Sequence, residues 1–299
     1  MFKRTGTALA VTAVAGLALA GCSSSDDTTD GATSAEGATT GGEITLAVFN
    51  GWDESLASSL LWQNVLTEQG YDVSLEYADP APVFQGVADG DYDVVTDVWL
   101  PVTHEEYINK FGEDMEELGT WFDSAALTIA VNADAPVDSI ADLPEYVDEM
   151  GGRIVGIEPG AGLTGATERA IEAYGLGDFD FITSSTPAML SELDKAQGDG
   201  ENIIVTLWEP HWAYGAYDLK NLEDPEGIMG DAEGITTYAR TGFGEDFPEV
   251  SGWLTDFTMD SELLYDLENQ LNGADSSDYE QIVTDWVAAN QEWVDSLTA

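Results

Sequence analysis

Basic residues, histidine and cysteine are all scarce in this chain of 299 residues. It has 8 lysines and arginines against 58 aspartates and glutamates, together with two histidines and one cysteine. The net charge of −50 offers no basic surface to nucleic acid, opposes anionic ligands at long range and attracts cations. A single cysteine excludes a disulfide framework and a cysteine metal cluster. We interpret most acidic side chains as a solvated surface around a folded core, because 43% of the residues are hydrophobic and 10% are aromatic.

The first 21 residues have the pattern of an export signal. A short basic start precedes an apolar run over residues 8–20, which is too short for a spanning helix and is typical of a signal peptide. The sequence Leu-Ala-Gly-Cys that ends at Cys22 resembles the lipobox of bacterial lipoproteins, and the resemblance implies cleavage before Cys22 and lipidation of its sulfur. Residues 22–42 contain mostly small and polar side chains and are predicted to form a flexible tether.

The rest of the chain alternates predicted strands with predicted helices, an order that indicates an α/β fold with parallel strands. Strands are predicted over residues 44–49, 72–77, 93–99, 127–131, 153–157, 179–184, 203–207 and 235–239. Helices are predicted over residues 54–69, 82–88, 144–150, 163–174, 187–196, 248–257, 261–271 and 277–297, and Asp53 is expected to cap the first.

Two α/β lobes joined by two crossings account for this order. Lobe 1 is predicted to contain residues 43–127 and 213–299, and lobe 2 to contain residues 128–212. A ligand would lie in the cleft between them, and hinge closure around it is the expected motion.

The stretch over residues 203–212 gives the strongest indication of a site. An apolar, β-branched strand stops near Pro210 and is followed by aromatic side chains, as two other predicted strands are followed by Trp52 and Trp99. Open α/β sheets bind ligands at the carboxyl ends of their strands. Indole faces with few charges suit a quaternary ammonium group through cation–π attraction. Each tryptophan alone is equally compatible with core packing, but agreement among several strand ends favours a cage that includes Trp208.

A glycine-rich loop over residues 160–165 permits a competing interpretation. It reads G-x-G-x-x-G after a predicted strand and before a predicted helix, which is typical of dinucleotide binding and would make the protein a nicotinamide-dependent oxidoreductase. Predicted export argues against that cofactor. The same loop can present backbone N–H groups to a carboxylate, or serve only as a turn. A metal site at His104, Glu105 and Glu106 is the weaker enzymatic alternative.

Several motifs together resemble the substrate-binding proteins of ABC importers for glycine betaine and related quaternary amines. They are Gly-Trp-Asp at 51–53, Asp-Val-Trp-Leu-Pro at 97–101, Gly-Ile-Glu-Pro-Gly-Ala-Gly at 156–162, Trp-Glu-Pro-His-Trp at 208–212 and Leu-Glu-Asp-Pro at 222–225. The resemblance implies a type II periplasmic-binding-protein fold and a non-enzymatic binding protein without cofactor or metal. It also implies a monomer, lipid-anchored at the outer face of the cell membrane, that delivers its ligand to an ABC permease.

The resemblance assigns roles residue by residue. It implies cage positions for Trp52, Trp99 and Trp208, and contacts with the ligand's polar end for Asp53 and His211. The remaining implied ligand-binding positions are Gly51, Gly160, Ala161 and Trp212.

The fourth wall of the cage is left open by the sequence. Choline-type relatives place a tyrosine where this chain has Leu127, which favours betaine, and Trp121 or Tyr214 is an alternative wall. A choline or carnitine receptor of the same fold, and a ligand-binding lipoprotein that signals or adheres, remain the other interpretations.

Overall fold

The computed structural model describes residues 41–299. The predicted signal peptide, Cys22 and nearly all of the predicted tether lie outside the described residues. The nine strands are β1 Glu43–Phe49, β2 Asp72–Ala78, β3 Val94–Leu100, β4 Met115–Asn132, β5 Arg153–Val155, β6 Asp180–Ile182, β7 Ile204–Glu209, β8 Leu219–Asn221 and β9 Glu233–Arg240.

Eleven α-helices within residues 41–299 complete the fold. They are α1 Asp53–Glu68, α2 Pro80–Asp89, α3 Glu105–Phe111, α4 Gly162–Ala173, α5 Thr186–Asp199, α6 Ala213–Ala216, α7 Phe243–Asp246, α8 Pro248–Asp256, α9 Ser261–Leu271, α10 Tyr279–Ala289 and α11 Gln291–Ser296. None of the helices in this part of the chain combines the length and apolar character needed to cross a membrane.

A first sheet has the strand order β2-β1-β3-β9-β4. Strand β1 pairs in parallel with β2 and β3, whereas β9 runs antiparallel to both β3 and β4. The central strands β1 and β3 are almost wholly buried, which matches their apolar, β-branched sequences. The strand predicted over 235–239 therefore rejoins the first sheet, as expected. The structure adds that it runs antiparallel to both of its neighbours.

Strand β4 joins the two sheets. Its first part, from Met115 to Ala125, pairs with β9, and its second part, from Ala126 to Asn132, pairs with β7. The second sheet continues through β5 and β6, with β8 on the other side of β4. One strand that takes part in both sheets creates two lobes with a crossing near Ala125.

The return crossing follows β8. Strand β8 pairs with the second part of β4, and the hydroxyl of Tyr174 on α4 donates to Asp224. These contacts keep the segment after residue 213 on the second sheet. We therefore propose that the chain re-enters lobe 1 close to Glu233, rather than at residue 213, while the crossing near residue 127 stays as predicted.

Three secondary-structure predictions were wrong. Strand β4 begins at Met115 instead of residue 127, because its first part alternates polar and apolar residues with irregular register and lacks an apolar run. The helix predicted over 144–150 is replaced by a 3₁₀ segment, Ile140–Glu145. The helix predicted over 277–297 is interrupted at Asn290, which separates α10 from α11.

The loop between β1 and α1 sets the position of the site. Gly51 adopts a φ of 79°, a left-handed conformation that glycine reaches without strain. Trp52 is the N-cap residue of α1, and no side chain caps this helix end. The expected capping role of Asp53 is thus wrong, because its carboxyl faces the other lobe, where it accepts a hydrogen bond from Trp212.

Candidate ligand-binding site

Strand ends from both sheets surround a small cavity. Its walls come from the loops after β1, β3 and β5, from the second part of β4 and from the end of β7. The lining residues are Trp52, Glu54, Trp99, Thr103, Leu127, Ile157, Ala161, Gly162, Leu163 and Trp208.

Three tryptophans from three different strand ends meet in this cavity. Trp52 follows β1, Trp99 lies on β3 and Trp208 lies on β7. Each is at most 6% exposed, and the ring centroids of Trp52 and Trp208 are 6.5 Å apart with an interplanar angle of 58°. Tilted indole faces around a small space can surround a compact methylated cation.

Carboxylate oxygens accept hydrogen bonds from the indole nitrogens around the cavity. The Nε1 of Trp208 donates to Glu54 at 2.9 Å, and the Nε1 of Trp99 donates to Asp97 at 2.7 Å. The Nε1 of Trp52 lies 3.5 Å from Oε2 of Glu158. The bonds of Trp208 and Trp52 join residues of different lobes, so they hold the rings in place and fix the separation of the lobes.

Leu127 provides an aliphatic wall where the sequence left the fourth side open. Trp121 lies elsewhere: its ring stacks on Phe257 and its Nε1 donates to the carbonyl of Thr96 at 2.6 Å. The hydroxyl of Tyr214 is engaged with Thr128 and Asn221. Neither lines the cavity, so its walls contain three indoles and no fourth aromatic ring.

The first turn of α4 forms the wall that faces lobe 1. Ala161, Gly162 and Leu163 line the cavity, and the backbone N–H groups of Gly162 and Leu163 have no acceptor within residues 41–299. Unpaired N–H groups at a helix N-terminus favour a carboxylate. At Gly162 a Cβ would overlap the carbonyl oxygen of Thr103 across the cleft, so the lobes approach this closely only because the residue is glycine.

A glutamate from β9 fixes Thr103 itself. The carboxyl of Glu233 accepts hydrogen bonds from the N–H groups of Val102, at 2.7 Å, and of Thr103, at 2.8 Å, and from the hydroxyl of Thr103. The glycine loop is therefore packed against an immobilised loop of the other lobe. This packing fills the space next to Gly162, where the dinucleotide interpretation would need room for a pyrophosphate.

Both histidines lie behind the cavity wall. The Nδ1 of His211 accepts from the N–H of Ala213 at 3.0 Å, its Nε2 lies 3.3 Å from Asp53 Oδ2 without hydrogen-bond alignment, and its ring packs edge-on against Trp208. The ring of His104 stacks on Trp52 at 5.7 Å. Burial lowers the pKa of each histidine to about 3, so both are neutral at pH 7.

The geometry separates the predicted site residues into two groups. Trp52, Trp99, Ala161 and Trp208 line the cavity, whereas Gly51, Asp53, Gly160, His211 and Trp212 do not. Gly51 and Gly160 border a wider groove at the outer edge of the cleft. His104 is buried, its Nδ1 accepts the backbone N–H of Trp99 at 2.9 Å, and residues 41–299 contain no cluster of three or more His, Cys, Asp or Glu side chains placed to hold a metal.

Buried carboxyl groups surround the back of the cage. Glu54, Asp97 and Glu268 are each about 1% exposed or less. Burial raises the pKa of Glu54 well above its usual range, and the charge of Asp97 adds to the effect. Burial likewise raises the pKa of Asp97. It also raises the pKa of Glu268, and the charge of Glu54 adds to that effect.

Glu54 is the ionisable residue of the cavity wall that the sequence analysis missed. It stands next to Asp53, which was selected instead because of the family resemblance. Glu54, Ser55 and Ser58 are all buried near the start of α1. These polar residues on the helix face toward β3 were the feature of the sequence that could have indicated the role of Glu54 in the wall.

Two lobes that share a crossing strand and enclose a small aromatic cavity define a two-lobed solute-binding protein of the periplasmic-binding-protein type. Residues 42–289 match the family described as the substrate-binding domain of the ABC-type glycine betaine transport system. This chain belongs to that family.

Individual relatives agree with this membership. The chain is 38% identical over 169 residues to the glycine betaine/carnitine transport binding protein GbuC of Listeria monocytogenes, and the match covers 54% of this chain and 55% of that protein. It thus spans about half the length of this curated relative.

Solved structures match over most of their length. Lactococcal OpuAC, in its closed conformation with glycine betaine, shares 32% identity with a TM-score of 0.79, covering 86% of this chain and 99% of that one. The glycine betaine/L-proline-binding protein ProX of Borrelia burgdorferi shares 27% identity with a TM-score of 0.81, covering 86% and 97%. A choline-binding protein in complex with choline, at 22% identity and a TM-score of 0.77, shows the shared fold.

The Asp53→Asn variant should change how stability depends on pH. Burial raises the pKa of Asp53 from 3.8 to about 6, against the opposing effect of its bond with Trp212. The folded protein therefore holds this proton more tightly than the unfolded chain, and the wild type loses stability as the pH rises from about 4 to about 7. Over that interval the free energy of unfolding of the variant should rise relative to that of the wild type by at most about 3 kcal/mol. Urea unfolding without ligand measures this difference.

A surface variant separates this effect from general relief of charge repulsion. Asp178→Asn removes one charge at an exposed position. The difference in free energy of unfolding between this variant and the wild type should stay nearly constant with pH. An Asp53→Asn curve that stays parallel to the wild-type curve would contradict the argument.

Proposed function

We propose that this chain binds glycine betaine or a related quaternary ammonium osmolyte outside the cytoplasm and delivers it to an ABC permease. The observation that carries the proposal is the cavity in which Trp52, Trp99 and Trp208 meet from both lobes. Each indole face that contacts a desolvated methylammonium contributes roughly 0.5–2 kcal/mol. Three such faces account for selective retention of a small ligand that has no ammonium hydrogen to donate.

The two ends of a zwitterionic ligand fit opposite sides of the cavity. The trimethylammonium group would occupy the indole side. The carboxylate would accept hydrogen bonds from the backbone N–H groups of Gly162 and Leu163, which have no acceptor among the described residues. A net-neutral ligand of this kind requires no basic side chain, which is consistent with walls that contain neither lysine nor arginine.

The other implied contacts fit a supporting role. We propose that His211 and Trp212 hold the end of β7, since the ring of His211 packs on Trp208 and the Nε1 of Trp212 donates to Asp53 at 2.9 Å. Gly51 and Gly160 border the outer groove, where they shape the cleft entrance. A carboxylate contact by His211 would require its ring to leave the position behind Trp208.

Export and anchoring complete the proposal. The signal peptide over residues 1–21 and lipidation of Cys22 would hold the protein at the outer face of the cell membrane, with residues 22–42 as the tether and a permease as its partner. We propose that it acts as a monomer, without cofactor or metal. A role in signalling or adhesion instead of import is the remaining alternative, and neighbouring permease and ATPase genes would favour import.

Choline and carnitine are the alternative ligands of the same cavity. The aliphatic wall at Leu127 removes the aromatic ring that the resemblance associates with choline, and the free N–H groups of α4 suit a carboxylate. Both features support a carboxylate-bearing quaternary amine. GbuC of Listeria monocytogenes, by its name, binds both glycine betaine and carnitine.

Replacing Trp208 by Ala should weaken glycine betaine binding more than tenfold, because the change removes one indole face and opens the cavity toward Glu54. Isothermal titration calorimetry at pH 7 measures the effect. Trp253→Ala, which truncates a half-buried tryptophan of α8 outside the cavity, should retain wild-type affinity. Equal losses in the two variants would remove Trp208 from the cage.

Replacing Gly162 by Ala should obstruct closure of the lobes. The added methyl group overlaps the carbonyl oxygen of Thr103, and overpacking of this kind costs roughly 1–3 kcal/mol. We expect a loss of glycine betaine affinity between about 5-fold and 150-fold, with thermal stability of the ligand-free protein unchanged or slightly raised, because alanine favours helix.

Gly165→Ala is the matched control for this change. It lies in the same helix and gains the same helix propensity, but its Cβ would meet only the end of the Arg169 side chain at 3.7 Å. If Gly162→Ala binds glycine betaine with wild-type affinity, the two lobes of the ligand-bound protein must be farther apart at this point than they are in this structure.

A further inference from the structure

We propose that the Glu54 carboxyl faces the cationic nitrogen of the bound ligand and releases a proton when the ligand enters. Binding would then be linked to pH, and ligands with a net positive charge would gain affinity relative to zwitterions as the pH rises. This inference rests on the proposed function and adds a specificity-determining residue to the same cavity.

The position of Glu54 is the first support. It lines the cavity together with the three tryptophans and is 1% exposed. The Nε1 of Trp208 donates to its Oε2 at 2.9 Å, and the backbone N–H of Glu54 itself also faces the carboxyl. A carboxyl bonded to a cage indole lies within a few ångströms of any cation in contact with that indole.

The charges around Glu54 are the second support. The neighbouring ionisable groups are Asp53 on its own helix, Asp97 on β3 and Glu268 on α9, all acidic. The histidines nearest the cage, His104 and His211, are neutral because of burial.

No basic side chain can compensate these carboxyls. The packed elements β1, β3, β7, α1, α9 and α10 contain no lysine or arginine anywhere in their sequences. A buried carboxylate without a countercharge takes up a proton instead of remaining ionised. In the empty protein burial therefore favours the neutral form of Glu54 and raises its pKa well above the usual range.

A quaternary ammonium ligand supplies the missing positive charge. It cannot donate a hydrogen bond, so its favourable interaction with Glu54 is coulombic and requires the carboxylate form. The ligand thus favours the ionised carboxyl, and the proton leaves for bulk solvent as the cation enters. For choline the result is a neutral pair, whereas the carboxylate of glycine betaine opposes ionisation of Glu54.

Calorimetric titration of the intact domain with choline and with glycine betaine tests the inference. At pH 7, titrations in phosphate and in Tris, whose ionisation enthalpies differ, report the protons exchanged. We expect release of between about 0.2 and 1 proton for choline and less for glycine betaine. From pH 6 to pH 8 the choline Kd should fall at least threefold, within the limit of about tenfold per pH unit for one proton.

Two variants locate the proton. Glu54→Gln keeps an acceptor for Trp208 but cannot ionise, so proton release and the pH dependence of the choline Kd should both disappear. Glu268→Gln removes a carboxyl of the same cluster that does not line the cavity and should retain proton release.

The outcomes are distinct. Binding without proton exchange in wild type, or equal pH dependence in wild type and Glu54→Gln, would overturn the role of Glu54 while leaving the proposed function intact. Failure of every quaternary amine to bind the wild type at any pH would overturn both. Absence of proton exchange in the wild-type buffer comparison would overturn the role of Glu54 even if Glu54→Gln does not fold.

Discussion

Hydrogen bonds from indole nitrogens to carboxyl groups are the interaction on which this site depends. Cation–π attraction acts only when the rings keep their faces toward a common centre, and an indole has one polar atom by which it can be fixed. Here Trp208 is fixed by Glu54 and Trp52 faces Glu158, each across the cleft, while Trp99 is fixed by Asp97 of its own strand. Because two of these pairs join different lobes, the cage exists in this form only when the lobes are together. Ring placement and lobe closure are therefore one structural event.

The same carboxyl groups bear on how a strongly acidic protein would bind the ligand without net charge that we propose for it. The surface charge acts at long range and attracts cations of every kind, so it provides no selectivity. Selectivity arises in the cavity, where size, indole faces and the N–H groups of Gly162 and Leu163 act at contact distance. Burial keeps the carboxyls behind the cage from acting as a general cation site, because the pKa of Glu54, Asp97 and Glu268 is raised. A small metal ion would also have to lose its hydration shell, whereas a quaternary amine has only weak hydration to lose.

The sequence predicted the aromatic part of the site better than its polar part, and the reason is physical. Trp52, Trp99 and Trp208 were predictable because the ends of parallel strands meet at one edge of a sheet. The direction of a side chain beyond such an end depends on the following turn. His211 follows Pro210, and this turn carries its ring behind Trp208, while the start of α1 directs Asp53 toward Trp212 and Glu54 toward the cavity. The crossing strand β4 was predicted only in its apolar second part, because pairing with β9, and not an apolar run, holds its first part in the sheet.

Placement of Glu54 in the first turn of α1 bears on how sensitive its charge is to a ligand. The N-terminus of a helix favours a negative charge by roughly 0.3–1 kcal/mol at the surface and about 2 kcal/mol where partly buried. This effect alone lowers the pKa of a carboxyl group in the first turn. Desolvation of a fully buried carboxyl acts in the opposite direction, and it prevails in the empty cavity, in agreement with the raised pKa of Glu54. The helix end nevertheless reduces the difference between the neutral and ionised forms. A nearby cation therefore has a smaller difference to overcome than it would at a carboxyl placed mid-helix at equal depth.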